Sequence, residues 1–285
     1  MIPSSYSLGL IGFPLGHSIS PTLHQVALAQ AGLKGEYNLY PIPPLPDGQS
    51  ALSDLLKRLR DGELQGLNVT IPHKQSVLPL LDQLTAPAAA IGASNTLYMD
   101  SGRLIGDNTD APGFLADLAR LPIYNDRNAL VLGAGGAARA VVYALLSRGW
   151  RISITDVRPQ QAIDLHDHFS RQSLNGSHLS VLEFTPGAIQ QASREVSLIV
   201  NATPVGMHPQ VEDCPWPEIL ELPRQACLYD LIYNPANTRL MQLAAAAGLP
   251  CRNGLGMLVE QAALAFERWT GFRPSRSLML KGVTE

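Results

Sequence analysis

The sequence predicts an α/β fold in two parts, the second built on a mostly parallel sheet. Three observations predict it. Short apolar runs of strand length alternate with helical stretches, the arrangement that builds crossover connections and parallel pairing. The pattern changes after Gly113, where longer apolar strands begin. A glycine cluster at Gly133 to Gly136 joins one of those strands directly to a helix.

Taken in order, Ser7 to Gly12 is an apolar run closed by glycine and is expected to be a buried strand. After a loop from Pro14 to Pro21, Thr22 to Ala31 reads as a helix stopping at Gly32, with Ser20 as N-cap and Pro21 at the first helical position. Tyr37 to Ile42 alternates like a strand. Ala51 to Arg60 places Leu52, Leu55, Leu56 and Leu59 at helical spacing. Gly66 to Ile71 is a further strand ending at Pro72. Asn95 to Met99 and Leu104 to Gly106 flank Asp100-Ser101-Gly102 as in a hairpin. The second part opens with Asn128 to Leu132, then a helix from about Ala137 to Arg148 and a strand at Arg151 to Thr155. Strands near Ser180 to Glu183, at Val196 to Val200 and at Cys227 to Ile232 follow, and Leu258 to Trp269 reads as a helix returning to the first part. The expected domains are 1–115, 116–252 and a C-terminal helical segment 253–285 that packs back on the first.

Composition excludes several classes of function. Hydrophobic residues make up 46% and charged residues 16%, yet no apolar run approaches the roughly 20 residues of a membrane span. The opening residues lack the basic and apolar regions of a signal peptide. A net charge of −3 without a Lys/Arg cluster gives no footprint for nucleic acid. Three scattered cysteines, Cys214, Cys227 and Cys251, argue against a disulfide framework or a zinc site. The expectation is a cytoplasmic protein without metal, membrane or nucleic-acid partners.

Gly133-Ala134-Gly135-Gly136-Ala137-Ala138 follows a strand and opens a helix, fitting the G-x-G-x-x-A form of the Rossmann dinucleotide fingerprint. Gly133 permits the tight turn, Gly135 lets the backbone approach a pyrophosphate, and the helix N-terminus supplies free N–H groups to the anion. Asp156 ends the next strand, where an acid holds the adenosine ribose of NAD and repels the 2′-phosphate of NADP. Arg158, two residues on, opposes that preference.

The first part carries separate polar fragments. Ser18 and Ser20 alternate in one loop, and Asn68 and Thr70 share a strand face with Lys74 beyond it. Gly92 to Thr96 and Gly106 to Asp110 are two more polar strand ends. Each alone reads as capping or as surface; their joint presence does not. With Asn201 to Met207, Asp230 to Tyr233, Asn253 to Leu258, Gln261-Ala262 and Trp269-Thr270-Gly271, these fragments resemble the shikimate dehydrogenases over nearly the whole chain, in the expected order.

That resemblance implies NADP-linked, reversible interconversion of 3-dehydroshikimate and shikimate, on the route to chorismate and the aromatic amino acids. Carried over by motif, Ser18 and Ser20 hold the substrate carboxylate. Thr70, Asn95, Asp110 and Gln261 bind ring hydroxyls, Tyr233 lies near the substrate, and Asn68 supports the site. Lys74, coupled to Asp110, is the proton donor or acceptor. Gly133, Ala134, Gly135, Gly136 and Ala137 cradle the pyrophosphate. Asp156 and Arg158 stand at the ribose, and Asn201, Thr203, Met207, Leu231 and Gly254 line the rest of the cofactor path. The resemblance leaves monomer and homodimer open.

Three positions depart from the family pattern. Asp156-Val157-Arg158 replaces Asn-Arg-Thr, whose arginine clamps the 2′-phosphate, so NAD stands beside NADP as a cofactor. His24-Gln25 replaces His-Asn, read as a detail of helix packing, and Ala86 replaces an acid, removing a cofactor-side contact. Ser18-Ile19-Ser20 is of the shikimate type, whereas many quinate-active relatives carry threonine second. The competing readings are an NAD-preferring quinate/shikimate dehydrogenase and a catalytically silent dinucleotide-binding regulator.

Overall fold

A computed structural model describes residues 4–123, 127–172 and 178–284, which divide into two compact units, Met1–Gly113 with Val259–Glu285 and Phe114–Leu258. In the first unit, apolar β1 (Tyr6–Gly12) pairs in parallel with β2 (Gly35–Pro41) and β3 (Gly66–Val69). Parallel neighbours need crossovers, supplied by α1 (Ser20–Ala31) and α2 (Gln49–Arg60). Helix α2 buries Leu52, Leu55, Leu56 and Leu59 in a cluster with Ile11, Leu67, Val69 and Leu97. Burial of each such leucine contributes about 2 kcal/mol, which makes this cluster the core of the unit.

Beyond β3 follow α3 (His73–Ser76), β4 (Gln83–Leu84), α4 (Ala86–Ile91), β5 (Thr96–Asp100) and β6 (Arg103–Asp107). The sheet runs β2-β1-β3-β5-β6-β4. It is mixed, because β5 lies antiparallel to both β3 and β6. The β5–β6 hairpin turns through Ser101 and Gly102, both at positive φ (49° and 75°), the backbone a two-residue primed turn requires.

The chain enters the second unit within α5 (Asp110–Leu118). There β7 (Asn128–Leu132), α6 (Gly136–Leu146), β8 (Arg151–Thr155), α7 (Pro159–Ser170), β9 (His178–Val181), α8 (Pro186–Ser193), β10 (Leu198–Asn201), β11 (Cys227–Asp230), α9 (Arg239–Ala246) and β12 (Cys251–Asn253) follow. The sheet order β12-β11-β10-β7-β8-β9 is parallel at every pairing. Counted within the unit this is 6-5-4-1-2-3, the doubly wound arrangement whose ligands sit at the carboxyl ends of the strands around the first. Asp117 of α5 is fully buried in this unit and accepts from the Tyr229 hydroxyl (2.8 Å) and doubly from Arg252 (2.7 and 3.1 Å). Desolvation and the neighbouring carboxylate push the Tyr229 phenol far above its usual range, so the hydroxyl stays a donor. The chain leaves the unit within α10 (Leu255–Thr270), and α11 (Arg276–Thr284) then packs on α1.

Several boundaries differ from those the sequence predicts. Ser20 is the first residue of α1 and not its N-cap; Ile19 occupies the cap position without a side-chain bond, and the Ser20 N–H reaches back to Ser18 Oγ at 3.3 Å. Strand β3 ends at Val69, because the chain turns at Thr70 to Pro72 into α3. Helix α6 begins at Gly136, one residue before the predicted start. Strand β4 has no counterpart in the sequence reading, being a two-residue segment whose existence depends on a neighbour to pair with.

Candidate active site

Lys74 is the second residue of α3, placed by the turn that ends β3. Its ammonium donates to Asp110 Oδ2 at 2.6 Å, with side-chain exposures of 14% and 6%. Asp110 opens α5, where Asn108 Oδ1 accepts from the Asp110 and Ala111 N–H groups at 3.1 and 3.3 Å. Asn108 in turn donates to Ala93 O at 2.9 Å, and the Ser94 hydroxyl donates to Asp107 O at 2.9 Å. The two polar strand ends predicted from sequence are thus laced together.

Asn95 is the hub. Its Nδ2 faces Asp110 Oδ1 (2.9 Å), Thr109 Oγ1 (3.0 Å) and Gln261 Oε1 (3.2 Å), while its Oδ1 accepts from Thr109 N at 2.8 Å. Asn68 Nδ2 donates to Asn95 O at 3.0 Å. Lys74, Asn68, Asn95, Asp110 and Gln261 therefore form one connected group within the first unit. Thr70 stands just past β3, its methyl against Gly12. Ser18 and Ser20 lie at the start of α1, tied to each other. An ammonium held by one carboxylate, which a network of amides and hydroxyls fixes in turn, is suited to pass a proton to an oxygen of a polyhydroxylated ligand.

The second unit carries the glycine turn. Gly133 has φ +97°, and a Cβ there would lie 2.8 Å from Thr203 Cγ2 and 3.0 Å from Ala202 O. Gly135, at the N-cap of α6, has φ −75° and nothing within 4 Å of a built Cβ. With no side chain capping α6, its first N–H groups are left for an anion. The bare backbone at Gly135 and Gly136 fits a pyrophosphate, the group the fingerprint implies.

Asp156 is 7% exposed, and both its oxygens are engaged: Oδ2 accepts from Ala134 N and Oδ1 from Arg158 N, each at 2.8 Å. The Arg158 Nε lies 3.7 Å from Oδ1, and its side chain is 69% exposed. Asn201 donates to Asp230 Oδ1 (2.9 Å) and accepts from Thr203 N and Oγ1 (3.0 and 2.7 Å), which brings Thr203 against the glycine turn. Burial raises the Asp230 carboxyl, opposed by bonds from Thr238, the Ile232 N–H and Asn201. Gly254 packs on the Leu231 backbone, where any Cβ would collide, and Met207 is exposed. Tyr233 belongs to this unit, its phenol raised by burial.

Residues 10–97 match the shikimate dehydrogenase substrate binding domain, and residues 254–282 match the shikimate 5′-dehydrogenase C-terminal domain. A shikimate dehydrogenase (NADP(+)) of Salinibacter ruber is 43% identical over 266 residues, covering 92% of this chain and 90% of its own. The chain belongs to the shikimate dehydrogenase family. Among solved structures, shikimate 5-dehydrogenase from Thermus thermophilus in complex with NADP(H) and shikimate is 38% identical. It covers 97% of this chain and 98% of its own, with a TM-score of 0.83. Quinate dehydrogenase from Corynebacterium glutamicum in complex with NAD is 30% identical, with 98% coverage of both chains and a TM-score of 0.84.

In this shikimate dehydrogenase family member, the predicted substrate-side residues belong to the first unit, apart from Tyr233, which the other unit holds. Sequence motifs did not single out Asn108, which caps α5, or Thr109, which fixes the Asn95 amide. The asparagine before a helix start is a readable signal for the first; the second has none.

Proposed function

We propose that the chain catalyses the reversible reduction of 3-dehydroshikimate to shikimate with NADP, in the biosynthesis of chorismate and the aromatic amino acids. The observation that carries this reading is the Lys74–Asp110 pair at 2.6 Å inside the Asn95-centred network. The first unit is assigned the substrate and the second the cofactor. NADP, when bound, supplies or accepts the hydride. Lys74 keeps further N–H donors beyond the one directed at Asp110, and these serve the substrate oxygen that gains or loses a proton. Asp110 orients the amine through Oδ2 while Asn95 holds its Oδ1. Thr70, Asn95, Asp110 and Gln261 bind ring hydroxyls, and Ser18 and Ser20 bind the carboxylate. Tyr233 contributes near the substrate, and Asn68 acts as support.

On the cofactor side, Gly133 to Ala137 take the pyrophosphate, with Asn201, Thr203, Met207, Leu231 and Gly254 along the remaining path. Asp156 spends its carboxylate on the Ala134 and Arg158 N–H groups, and the exposed Arg158 guanidinium is the cation available to a 2′-phosphate. We assign NADP as preferred, by a margin narrowed by the Asp156 charge. The second reading, an NAD-preferring quinate/shikimate dehydrogenase, is favoured by that same carboxylate at the ribose position. Nicotinamide absorbance followed with shikimate and with quinate, each with NADP and NAD, decides between them. Exclusive turnover of quinate, or no turnover of shikimate with either cofactor, overturns the proposal.

A further inference from the structure

His24 and Tyr37 form a buried stack in the first unit that the motifs do not explain. His24 lies one helical turn after Ser20, on the same face of α1. Its ring is fully buried and stacks on Tyr37 at 4.2 Å between centroids and 3° between planes. Trp269 lies at 5.3 Å. Neither ring nitrogen makes a hydrogen bond, and burial outweighs the neighbouring Asn68 amide to bring the imidazole down to about 3. A neutral ring serves here as a flat apolar wall for the tyrosine.

The Tyr37 hydroxyl donates to Asn68 Oδ1 at 2.8 Å, while its ring lies on His24, one turn along α1 from Ser20. Burial raises this phenol well above its usual range, so it stays protonated and remains a donor. That bond fixes which end of the Asn68 amide faces which way, leaving Nδ2 for Asn95 O (3.0 Å) and Thr96 Oγ1 (3.4 Å). A tyrosine in an alternating strand ordinarily fills core, a task phenylalanine performs equally well. Here the phenol joins α1, through its stack on His24, to Asn68 of β3.

We propose that Tyr37, locked in place by its stack on His24, is a positioning residue for substrate recognition, holding Ser20 and Asn68 in the arrangement that reads the substrate carboxylate. The inference rests on the assignment of Ser18 and Ser20 to that carboxylate. Tyr37 acts through these residues without contacting the reacting atoms, and this role gives the histidine of the His24-Gln25 pair a function beyond helix packing.

The test compares kcat/KM for shikimate and for its methyl ester in the wild type, Tyr37→Phe and His24→Ala, with NADP dissociation constants and thermal midpoints measured on the same preparations. The wild type is expected to prefer the acid over the ester. Tyr37→Phe narrows that preference about tenfold, the change for one lost buried hydrogen bond to a recognition group. The narrowing resides in KM for shikimate, with the ester rate and NADP affinity little changed. His24→Ala narrows the preference in the same direction while retaining a cooperative thermal transition. Parallel loss on acid and ester in both variants marks a purely structural role and overturns the proposal. A wild type indifferent to esterification overturns the carboxylate assignment itself, and the role of Tyr37 with it.

Discussion

Lys74 and Asp110 lie 36 positions apart in the chain, yet the ammonium and the carboxylate meet at 2.6 Å. One sits on a short helix after β3 and the other at the first residue of α5, so the pair exists only once both strand ends are laced through Asn95 and Asn108.

Lys74→Ala is expected to lower kcat by about 10²- to 10⁴-fold, the range for loss of a positioned acid–base group. KM for shikimate changes less. Steady-state kinetics in both directions measures this, and turnover equal to the wild type sinks the assignment.

Asn95→Ala removes an amide that bonds with Asp110, Thr109 and Gln261 in a 2% exposed position. Unsatisfied partners cost about 1–3 kcal/mol each when buried. The variant is expected to unfold at lower denaturant and to lose activity together; unchanged stability would show that water replaces the amide without cost.

The two glycines of the turn separate packing from binding. Gly133→Ala places a Cβ at φ +97° against Thr203 and Ala202, a strain of roughly 1–3 kcal/mol. It should lower the thermal midpoint. Gly135→Ala meets no protein atom and has an ordinary φ, so the midpoint should hold while NADP affinity falls. Calorimetry and a fluorescence titration with NADP read the two effects, and an equal midpoint drop in both variants contradicts the cradle.

Cofactor choice turns on two charges. Arg158→Ala is expected to cut the NADP:NAD ratio of kcat/KM about tenfold, and Asp156→Asn to raise it by removing a repelling charge. A ratio unmoved by either substitution places 2′-phosphate recognition elsewhere.

His24 makes the first unit acid-sensitive. Its folded pKa of about 3 lies below the ordinary 6.5, so below pH 6.5 the unfolded chain binds a proton that the folded chain refuses. Stability is full above pH 6.5 and is lost as pH falls toward 3, by about 2 kcal/mol at pH 5. Urea denaturation of the wild type and His24→Leu at pH 7 and pH 5 tests this, and an identical pH slope in both proteins refutes it.

Local chemistry made much of this protein legible. Strand β8 runs from Arg151 to Thr155 as expected, the Ser101-Gly102 turn closes the hairpin, and Gly133 to Ala138 joins β7 to α6 as a fingerprint should. Periodicity, turn residues and glycine spacing act within a few residues, so sequence alone determined them, and with them the family. Contacts between distant segments were not legible in the same way. The Asn95–Gln261 bond spans 166 positions, Asp156 Oδ2 accepts from the distant Ala134 N–H, and His24 lies flat on Tyr37. Only tertiary structure decided these, because which face of a buried polar group finds a partner depends on how strands and helices pack around it, and no local preference encodes that direction.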